Sequence, residues 1–430
     1  SPLFQWDITP TSDETIYFFK SAYVSLARTN SVLDNVAQMS NISTTARNKI
    51  LGEAHFLRAF NHFMLVINYG SVPIRSKTVS TTSDAFRDFA PIQDVYAFII
   101  GELEDAIGLL PVNKVQGRAD KVAAQALLAR VYLYLASSKA SGAPGYDWVS
   151  DAHEMYRLAA QYAGDVLDKQ TVYRLDPDLG NVYDVEHQAD GVEHIFMTSM
   201  NREASGMEGT YSQLPQMFCI QTGSIVYISA SLGENSREVM KFMDYESGYQ
   251  VMRVDNDFRE TYDDDDLRKQ LMVTTIYNED GSVLAAYDPS NLTSSDNIKN
   301  KFFYPFCRKY TDPKSKSNRT SANLYLIRFA EVALTYAEAV GPTDEGYRWV
   351  NEVRRRAGLD ALPEGLSIED FREAVIEERT KELAFEGHGI YDLRRLNRVD
   401  EQHITNKAFK PAYAYFYPAP QRELDLNPQK

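Results

Sequence analysis

Apolar positions recur every three to four residues through most of the chain before Tyr173, the spacing that lines one face of an α-helix. Phe56, Phe60, Phe63 and Ile67 fall four, three and four apart and predict a helix over Arg47–Tyr69. Gly70 and Pro73 end it, the first by permitting a left-handed turn and the second by lacking an amide donor. Val95, Ile99, Leu103, Ala106 and Leu110 form a second stripe that stops at Pro111. Val122–Ala136 is rich in Ala and Leu, and the small side chains of Ala123, Ala124, Ala126 and Ala129 let another helix approach closely. Val149–Leu167 presents a further face through Ala152, Tyr156, Ala159, Ala163 and Val166, with Trp148 opening the helix. An earlier helix from about Ile16 to Met39 is carried by Ala22, Leu26, Leu33 and Val36.

From about Tyr173 to Asn318 the helical period fades, Gly, Ser, Asp, Asn and Tyr rise, and short β-like runs appear, such as Ser224–Ile228 and Leu271–Tyr277. Such a stretch is too long for a loop in a compact domain, so residues 173–318 read as a largely irregular subdomain with a few short helices and strands. The period returns over Asn323–Val340 through Ile327, Ala330, Leu334 and Ala337, and again with Tyr347, Val350, Val353 and Ala357 in line. Gly358 is placed as the C-terminal cap of that last helix. Ser367 with Asp370 three residues on predicts an N-cap box that opens a helix over Ile368–Glu386, closed by Gly387. The tail from Pro411 to Lys430 alternates Pro with Tyr and Phe and reads as an extended strand packed on the body. The chain is therefore read as mainly α, with helical parts at 1–172 and 319–430 and the irregular part at 173–318 between them. Helix pairs with small residues at their crossings follow the logic of tetratricopeptide-type arrays, in which no pair covers its own apolar face and neighbours stack.

Charge narrows the function classes. Acidic residues outnumber basic ones 60 to 45, the formal charge is −15, and no Lys/Arg-rich run is present. A positive field for gripping phosphate backbones is missing, which argues against nucleic acid as a partner. No uninterrupted apolar stretch approaches the roughly eighteen residues a spanning helix needs, and no basic n-region followed by an apolar h-region marks a signal peptide. Cys219 and Cys307 stand far apart, which excludes a disulfide-dense scaffold and any CxxC zinc or redox site and leaves a single bridge between them open. Tyr is frequent, with 27 copies against 3 Trp. Its apolar ring and polar tip suit wet interfaces and sugar-like ligands.

Several strings resemble one family. Gly52-Glu-Ala-His-Phe-Leu-Arg-Ala-Phe60, running on to Asn68-Tyr-Gly-Ser-Val-Pro73, resembles the first signature helix of SusD-like (RagB/SusD) proteins, and Gly117-Arg118 with Ala126-Leu-Leu-Ala-Arg-Val-Tyr-Leu-Tyr134 resembles the next. Leu326–Ala339, Val350–Leu359, Glu378–Gly387 with Asp392–Arg395, and the close Tyr417-Pro-Ala-Pro420 with Glu423–Pro428 follow in family order. The resemblance implies a SusD-like fold, with tetratricopeptide-type helix pairs cupping an irregular, variable subdomain. It implies a non-catalytic protein, without cofactor, that binds glycan or oligosaccharide at the extracellular face of a bacterial outer membrane and hands it to a SusC-like TonB-dependent transporter. Such proteins carry a lipid anchor on an N-terminal Cys. This chain contains no such Cys, so the anchor rests on analogy alone.

In SusD-like proteins the ligand site is formed by the loop after the first signature helix and by the variable middle. The matching loop, Arg75–Ala90, offers Arg75, Phe86 and Phe89, and the middle offers Tyr211, Tyr227 and Tyr249. Flat aromatic platforms with a few polar groups suit the C–H faces and hydroxyls of carbohydrate. The loop holds no Trp, which argues against a starch-like ligand, and Trp6, Trp148 and Trp349 lie elsewhere. Three other sets could carry chemistry. Glu378, Glu382 and Glu386 are four apart on one helix face and could be read as the acid and base of a glycoside hydrolase, or as a structural network with Arg379, Arg394 and Arg395, the reading we favour. Asp255, Asp257 and Asp263–Asp266 lack the alternation and Gly of a calcium loop and read as a solvated acidic turn. His55 and His62, seven apart, form no zinc motif and read as structural histidines. A helical-repeat adaptor for peptides is the competing binding class; the acidic balance and the large irregular part argue against it.

Overall fold

The computed structural model describes residues 8–81, 84, 86–204, 210–232, 238–246, 248–288, 301–399 and 413–426. It divides into two compact units. Unit one takes the chain up to Lys114, Arg118–Val172 and the part from His388 on; unit two takes Val115–Gly117 and Tyr173–Gly387.

Unit one begins with five helices, α1 (Asp13–Val36), α2 (Thr44–Tyr69), α3 (Ile92–Leu109), α4 (Lys121–Ser141) and α5 (Ala152–Asp168). Each packs on the next in chain order, the nearest-neighbour arrangement of helical repeats. Side-chain caps fix the starts. Ser43 accepts from the Ala46 amide at 3.2 Å, Asp120 from the Ala123 amide at 2.9 Å and Asp151 from the His153 amide at 2.8 Å. α5 thus starts at Ala152, after Trp148, which is held in a turn by its indole N–H to the Gly145 carbonyl. α4 has buried residues on every side, from Val122 to Ser138, because it is packed against α3 and α5 and its alanines let both come close. Gly52 is required for the same reason: a Cβ there would lie 2.7 Å from Leu110 Cγ. Polar residues of the signature strings serve this packing. Arg118 pairs with Glu53, and Arg58 binds both carboxylate oxygens of Glu102 at 2.7 and 2.6 Å across the α2–α3 contact.

Unit two follows with α6 (Leu179–Tyr183), β1 (His194–Met197), α7 (Leu214–Phe218), β2 (Tyr227–Ser229), β3 (Val239–Lys241), α8 (Asn256–Arg259), a 3₁₀ turn (Leu267–Leu271), β4 (Met272–Val273), β5 (Thr275–Tyr277), β6 (Val283–Tyr287), β7 (Lys301–Phe302), β8 (Phe306–Cys307), β9 (Tyr325–Arg328), α9 (Phe329–Val340), α10 (Asp344–Arg356) and α11 (Ile368–Glu382). A five-stranded sheet runs β3-β2-β5-β6-β7, and β1 pairs with β9 and β4 with β8. The sheet is antiparallel apart from β6–β7. One of its faces covers a core of Val226, Ile228, Phe242, Ile276, Ala285, Phe302 and Phe306. Cys219 and Cys307 are buried free thiols, and burial pushes both up to about 12, so they are inert as nucleophiles.

Two expectations change here. The helix expected over Asn323–Val340 begins at Phe329, because Tyr325-Leu-Ile-Arg328 pairs antiparallel with β1 instead. Aromatic and β-branched residues fit a pleated surface once a partner strand is present. The chain then returns to unit one with α12 (Gly389–Arg395) and α13 (Gln421–Leu426), so the end of the tail is a short helix and not a strand. Pro418 and Pro420 lie just ahead of α13, where a missing amide costs nothing; residues 411–412 and 427–430 lie outside the described part. Gly358 and the Ser367–Asp370 box take the capping roles expected of them, Gly358 at φ +87° and Ser367 accepting from the Asp370 amide at 3.0 Å.

Unit two is held by a buried charge network. Arg328 reaches Glu382 at 2.6 Å, Glu193 at 2.8 Å and Glu386 at 2.7 Å. Arg268 bonds Asp266, Glu378 and Glu382 at 2.8, 2.5 and 3.1 Å. Arg356 bonds Glu382 at 2.5 Å and also pairs with Glu193, Lys309 bonds Glu386 at 2.6 Å, and Arg354 closes the edge on Glu378 at 3.0 Å. Burial alone would raise the Glu382 carboxyl, but Arg356, Arg328 and Arg268 outweigh it and hold it below the usual carboxylate range. The same contest, decided by Arg328 and Lys309, sets Glu386 at about 2. The structural reading of the three glutamates holds, with different partners from those expected. Arg379 lies 3.5 Å from Glu331, Arg395 bonds Asp392, and Arg394 donates to the carbonyls of Ile67 and Ala414.

Among the described residues, no helix is long and apolar enough to cross a membrane.

Two stability predictions follow from these contacts. Glu382→Gln leaves buried guanidinium groups short of a counter-charge and is expected to destabilise the protein by about 3–5 kcal/mol. Denaturant melts of this variant, with Glu154→Ala on the exposed face of α5 as an unaffected control, measure it. The second concerns His62, which is fully buried. Burial pushes its imidazole down to about 4, so the unfolded chain takes the proton first as pH falls. Its contribution to stability is complete above about pH 6.5 and is lost progressively towards pH 4. Melting temperatures between pH 7.5 and 4.5 should fall more steeply for wild type than for His62→Gln; parallel curves would refute the assignment.

Candidate functional site

The loop that follows α2 is fixed at its base. Gly70 turns the chain at φ +71°, and Ala90 returns to Val72 through a backbone bond of 3.1 Å. Between them the backbone is fastened to α1 and α2. The Arg75 amide donates to His62 Nε2 at 3.2 Å, Asn30 donates to the Arg75 and Lys77 carbonyls at 3.0 and 3.1 Å, and Arg58 donates to the Ser76 carbonyl at 2.9 Å. His62 Nδ1 lies 2.8 Å from the Arg58 carbonyl, which leaves Nε2 as the acceptor for the loop. Both histidines weighed for zinc are thus structural: His62 holds the loop and His55 bonds Glu102 at 2.9 Å. His55, Glu102 and Asp105 converge to within 4.8 Å, but a metal ion there would sit beside the Arg58 guanidinium that Glu102 already neutralises.

Further along, Arg75 Nη1 bonds the Asp84 carbonyl at 2.7 Å, and the Asp84 carboxylate gathers Ser80 and Thr81. Those hydrogen bonds pull the Asp84 carboxyl down to about 2. Arg75 is half-buried and braces the loop. Phe86 stands 50% exposed, and Phe89 is half-buried.

In unit two, Tyr211 is half-buried beside the Ser212–Thr320 bridge, whose backbone bonds are 2.9 and 3.0 Å. Tyr227 is half-buried at the head of β2, opposite Lys241 on one side and Tyr277 on the other. Tyr249 is exposed, in a segment pinned to α7. Its amide donates to the Gln216 carbonyl at 2.6 Å, and the Val251 and Met252 amides share the Met217 carbonyl at 3.0 and 2.9 Å. Gln250 between them takes φ +49°, a left-handed conformation unusual for a side-chain-bearing residue. Val251 and Met252 continue the exposed apolar run, and the Arg253 guanidinium lies 4.7 Å from the Tyr304 ring.

The six candidate residues therefore form two sets. Arg75, Phe86 and Phe89 share one loop of unit one; Tyr211, Tyr227 and Tyr249 stand on separate segments of unit two. Tyr277 and the Arg253–Tyr304 pair had no place among the candidates. The alternation Thr275-Ile276-Tyr277 gave a signal for Tyr277, but its partner strand cannot be read from one strand alone. Of the tryptophans, Trp349 is buried in α10 and edge-on to Phe329, and Trp6 lies outside the described residues. The acidic run is only partly solvated: Asp264 is exposed and bonds Lys269, whereas Asp266 is buried on Arg268.

Comparison with known proteins agrees with this architecture. The family model described as "SusD family" matches residues 192–429, and another described as "Starch-binding associating with outer membrane" matches residues 3–133. SusD-like protein P2 of Formosa agariphila is 26% identical over 432 residues, covering 95% of this chain and 78% of its own length. A SusD superfamily protein from Parabacteroides distasonis superposes with a TM-score of 0.77 at 22% identity, covering 98% of this chain and 86% of its own. Surface glycan-binding protein A from Bacteroides thetaiotaomicron, solved with laminarihexaose, superposes with a TM-score of 0.69 at 21% identity, covering 95% and 83%. At these identities the two solved structures establish a common fold. With stacked helices in unit one, short strands and helices in unit two, and a family match that runs over more than half of its length, the chain belongs to the SusD family.

Proposed function

We propose that this protein binds glycan without turning it over, at the extracellular face of a bacterial outer membrane, and delivers it to a SusC-like TonB-dependent transporter. The observation that carries the binding reading is the exposure of Phe86 and Tyr249, 50% and 41%, Phe86 in a loop whose base is bonded to α1 and α2 and Tyr249 on backbone bonded to α7. An exposed ring on a fixed backbone offers its face to a ligand without a large ordering cost. The SusD-fold relative solved with laminarihexaose supports the same ligand class. Arg75 serves by bracing the loop that carries Phe86 and Phe89, and Tyr211, Tyr227 and Tyr249 supply rings from unit two.

Absence of turnover is supported by the state of the glutamates that could have served as acid and base. Glu378, Glu382 and Glu386 are 1%, 0% and 5% exposed, and Glu382 and Glu386 are held ionised by their cations. A general acid for glycoside cleavage needs a raised pKa and a place beside the scissile bond. Delivery to a barrel rests on family membership and on the outer-membrane association in the matched family's description. A protein that captures and then releases its ligand is served by a shallow aromatic surface better than by a deep pocket.

Replacing Phe86, Phe89 and Tyr227 together by Ala is expected to weaken glycan binding at least about tenfold, since ring contacts contribute roughly 0.5–1.5 kcal/mol each. Co-purification of the lipidated protein with its TonB-dependent barrel should be unchanged. Wild-type affinity in the triple variant would show the site to be elsewhere, and a lipoprotein that never co-purifies with such a barrel would refute delivery.

A further inference from the structure

The outer face of the five-stranded sheet carries a row of side chains set by register alone. Tyr227 faces Lys241 across β2–β3 and Tyr277 across β2–β5, and Tyr277 faces Val283 across β5–β6. Residues directly opposite each other point to the same side of a sheet. The adjacent residues of β2 and β5, Ile228 and Ile276, are 1% and 0% exposed and turn into the core. By the alternation of strands, Tyr227 and Tyr277 turn outward, and Lys241 turns with them as the residue opposite Tyr227. Val283 is 60% exposed and neither tyrosine is buried. Ile276 pairs with Ala285 and Tyr277 with Val283, so Leu284 is an extra residue on β6, an irregularity that locally increases the twist beside Tyr277.

At one end of the row stands a polar pair: Lys241 Nζ bonds Asp244 at 2.9 Å, with both side chains part-exposed. Glu279, on the hairpin that leaves Tyr277, is exposed and close enough to Lys241 to act on its charge. Asn278 of that hairpin is locked by its amide to Ser282 Oγ at 2.9 Å, so the turn beside Tyr277 is fixed.

We infer that Tyr227 and Tyr277 form a two-ring platform for a neutral oligosaccharide, with Lys241 and Asp244 as the donor and acceptor for its hydroxyls. The inference rests on the glycan-binding reading and adds the second ring, the polar pair and the charge of the ligand. Opposite residues in an antiparallel pair have Cβ atoms about 4.5–5.5 Å apart, which places two phenol rings side by side where neighbouring sugar rings of a chain can lie across them. C–H faces meet the rings, and hydroxyls meet the phenol tips and the Lys241–Asp244 pair. The choice of a neutral chain follows from charge. Uronates or sulfate esters would meet Asp244 and Glu279 with one lysine, already paired, to offset them, on a protein of charge −15.

The test is affinity electrophoresis and calorimetry of wild type, Tyr277→Ala, Tyr277→Phe and the Phe86→Ala/Phe89→Ala variant. Probes are laminarin, xyloglucan, starch and galactomannan, with polygalacturonate as the acidic probe and melting temperature as the check on folding. Tyr277→Thr, which suits a strand, replaces Tyr277→Ala if the latter does not fold. Wild type is expected to bind at least one neutral glycan and not polygalacturonate. Tyr277→Ala should weaken that binding at least tenfold, and Tyr277→Phe should stay within about threefold of wild type. If Tyr277→Ala binds as wild type while the Phe86/Phe89 variant loses binding, the platform is refuted and the glycan reading stands. If wild type binds none of the neutral probes, the glycan reading falls and the platform with it. Tighter binding of polygalacturonate refutes the neutral class, and loss of barrel co-purification in Tyr277→Ala with glycan binding intact reassigns the row to a protein contact.

Discussion

Glu382 is fully buried where Arg268, Arg328 and Arg356 converge, and the elements that bring those cations are far apart in the chain. Arg268 comes from the 3₁₀ turn, Arg328 from the end of β9, Arg356 from the last residue of α10, and Glu382 itself ends α11. Buried charges tolerate few arrangements, since each must find its counter-charge and its hydrogen bonds together or carry a desolvation penalty of several kcal/mol. The other ways of fixing unit two are weak. Its strands are two to five residues long, and its helices between residues 173 and 318 are one turn or little more. Hydrophobic burial would hold such pieces together but would select poorly among alternative packings. With Lys309, Glu386 and Glu193, the network ties six separated stretches of unit two together.

Unit one solves its problem with shape. Its helices are long, and alanines and Gly52 let them approach until Leu110 fills the space a side chain at Gly52 would need. Among the described residues its charges form smaller groups, as in Arg58 and His55 with Glu102. The same helices hold the base of the 70–90 loop through His62, Asn30 and Arg58, and Phe86 further along it is exposed. Most aromatic residues of this unit are structural. Tyr96, Tyr134 and Tyr146 are buried together, with the hydroxyls of Tyr96 and Tyr146 3.0 Å apart. Abundance of Tyr therefore says little about ligand binding; exposure and backbone support separate the few rings that face outward.

The signals legible in the chain before folding were local. The 3.6-residue stripes located the long helices, Gly70, Gly358 and the Ser367–Asp370 box marked where helices end or begin, and strings such as Gly52–Phe60 carried the family. These signals work because helical hydrogen bonds and caps join residues within a turn of one another, so the pattern is written in consecutive positions. The remaining features depend on pairs with no local mark and emerge on folding. Tyr325–Arg328 continues a helical stripe in sequence and becomes a strand because β1 is there to receive it. Glu382 and Glu386 meet Arg328, Arg356 and Lys309 and not the arginines nearest them in the chain. Tyr277 stands beside Tyr227 through a strand register fifty residues long in sequence. Pairings of this kind are chosen by the burial of charge and apolar surface across the whole unit, and that choice exists only once the chain is folded.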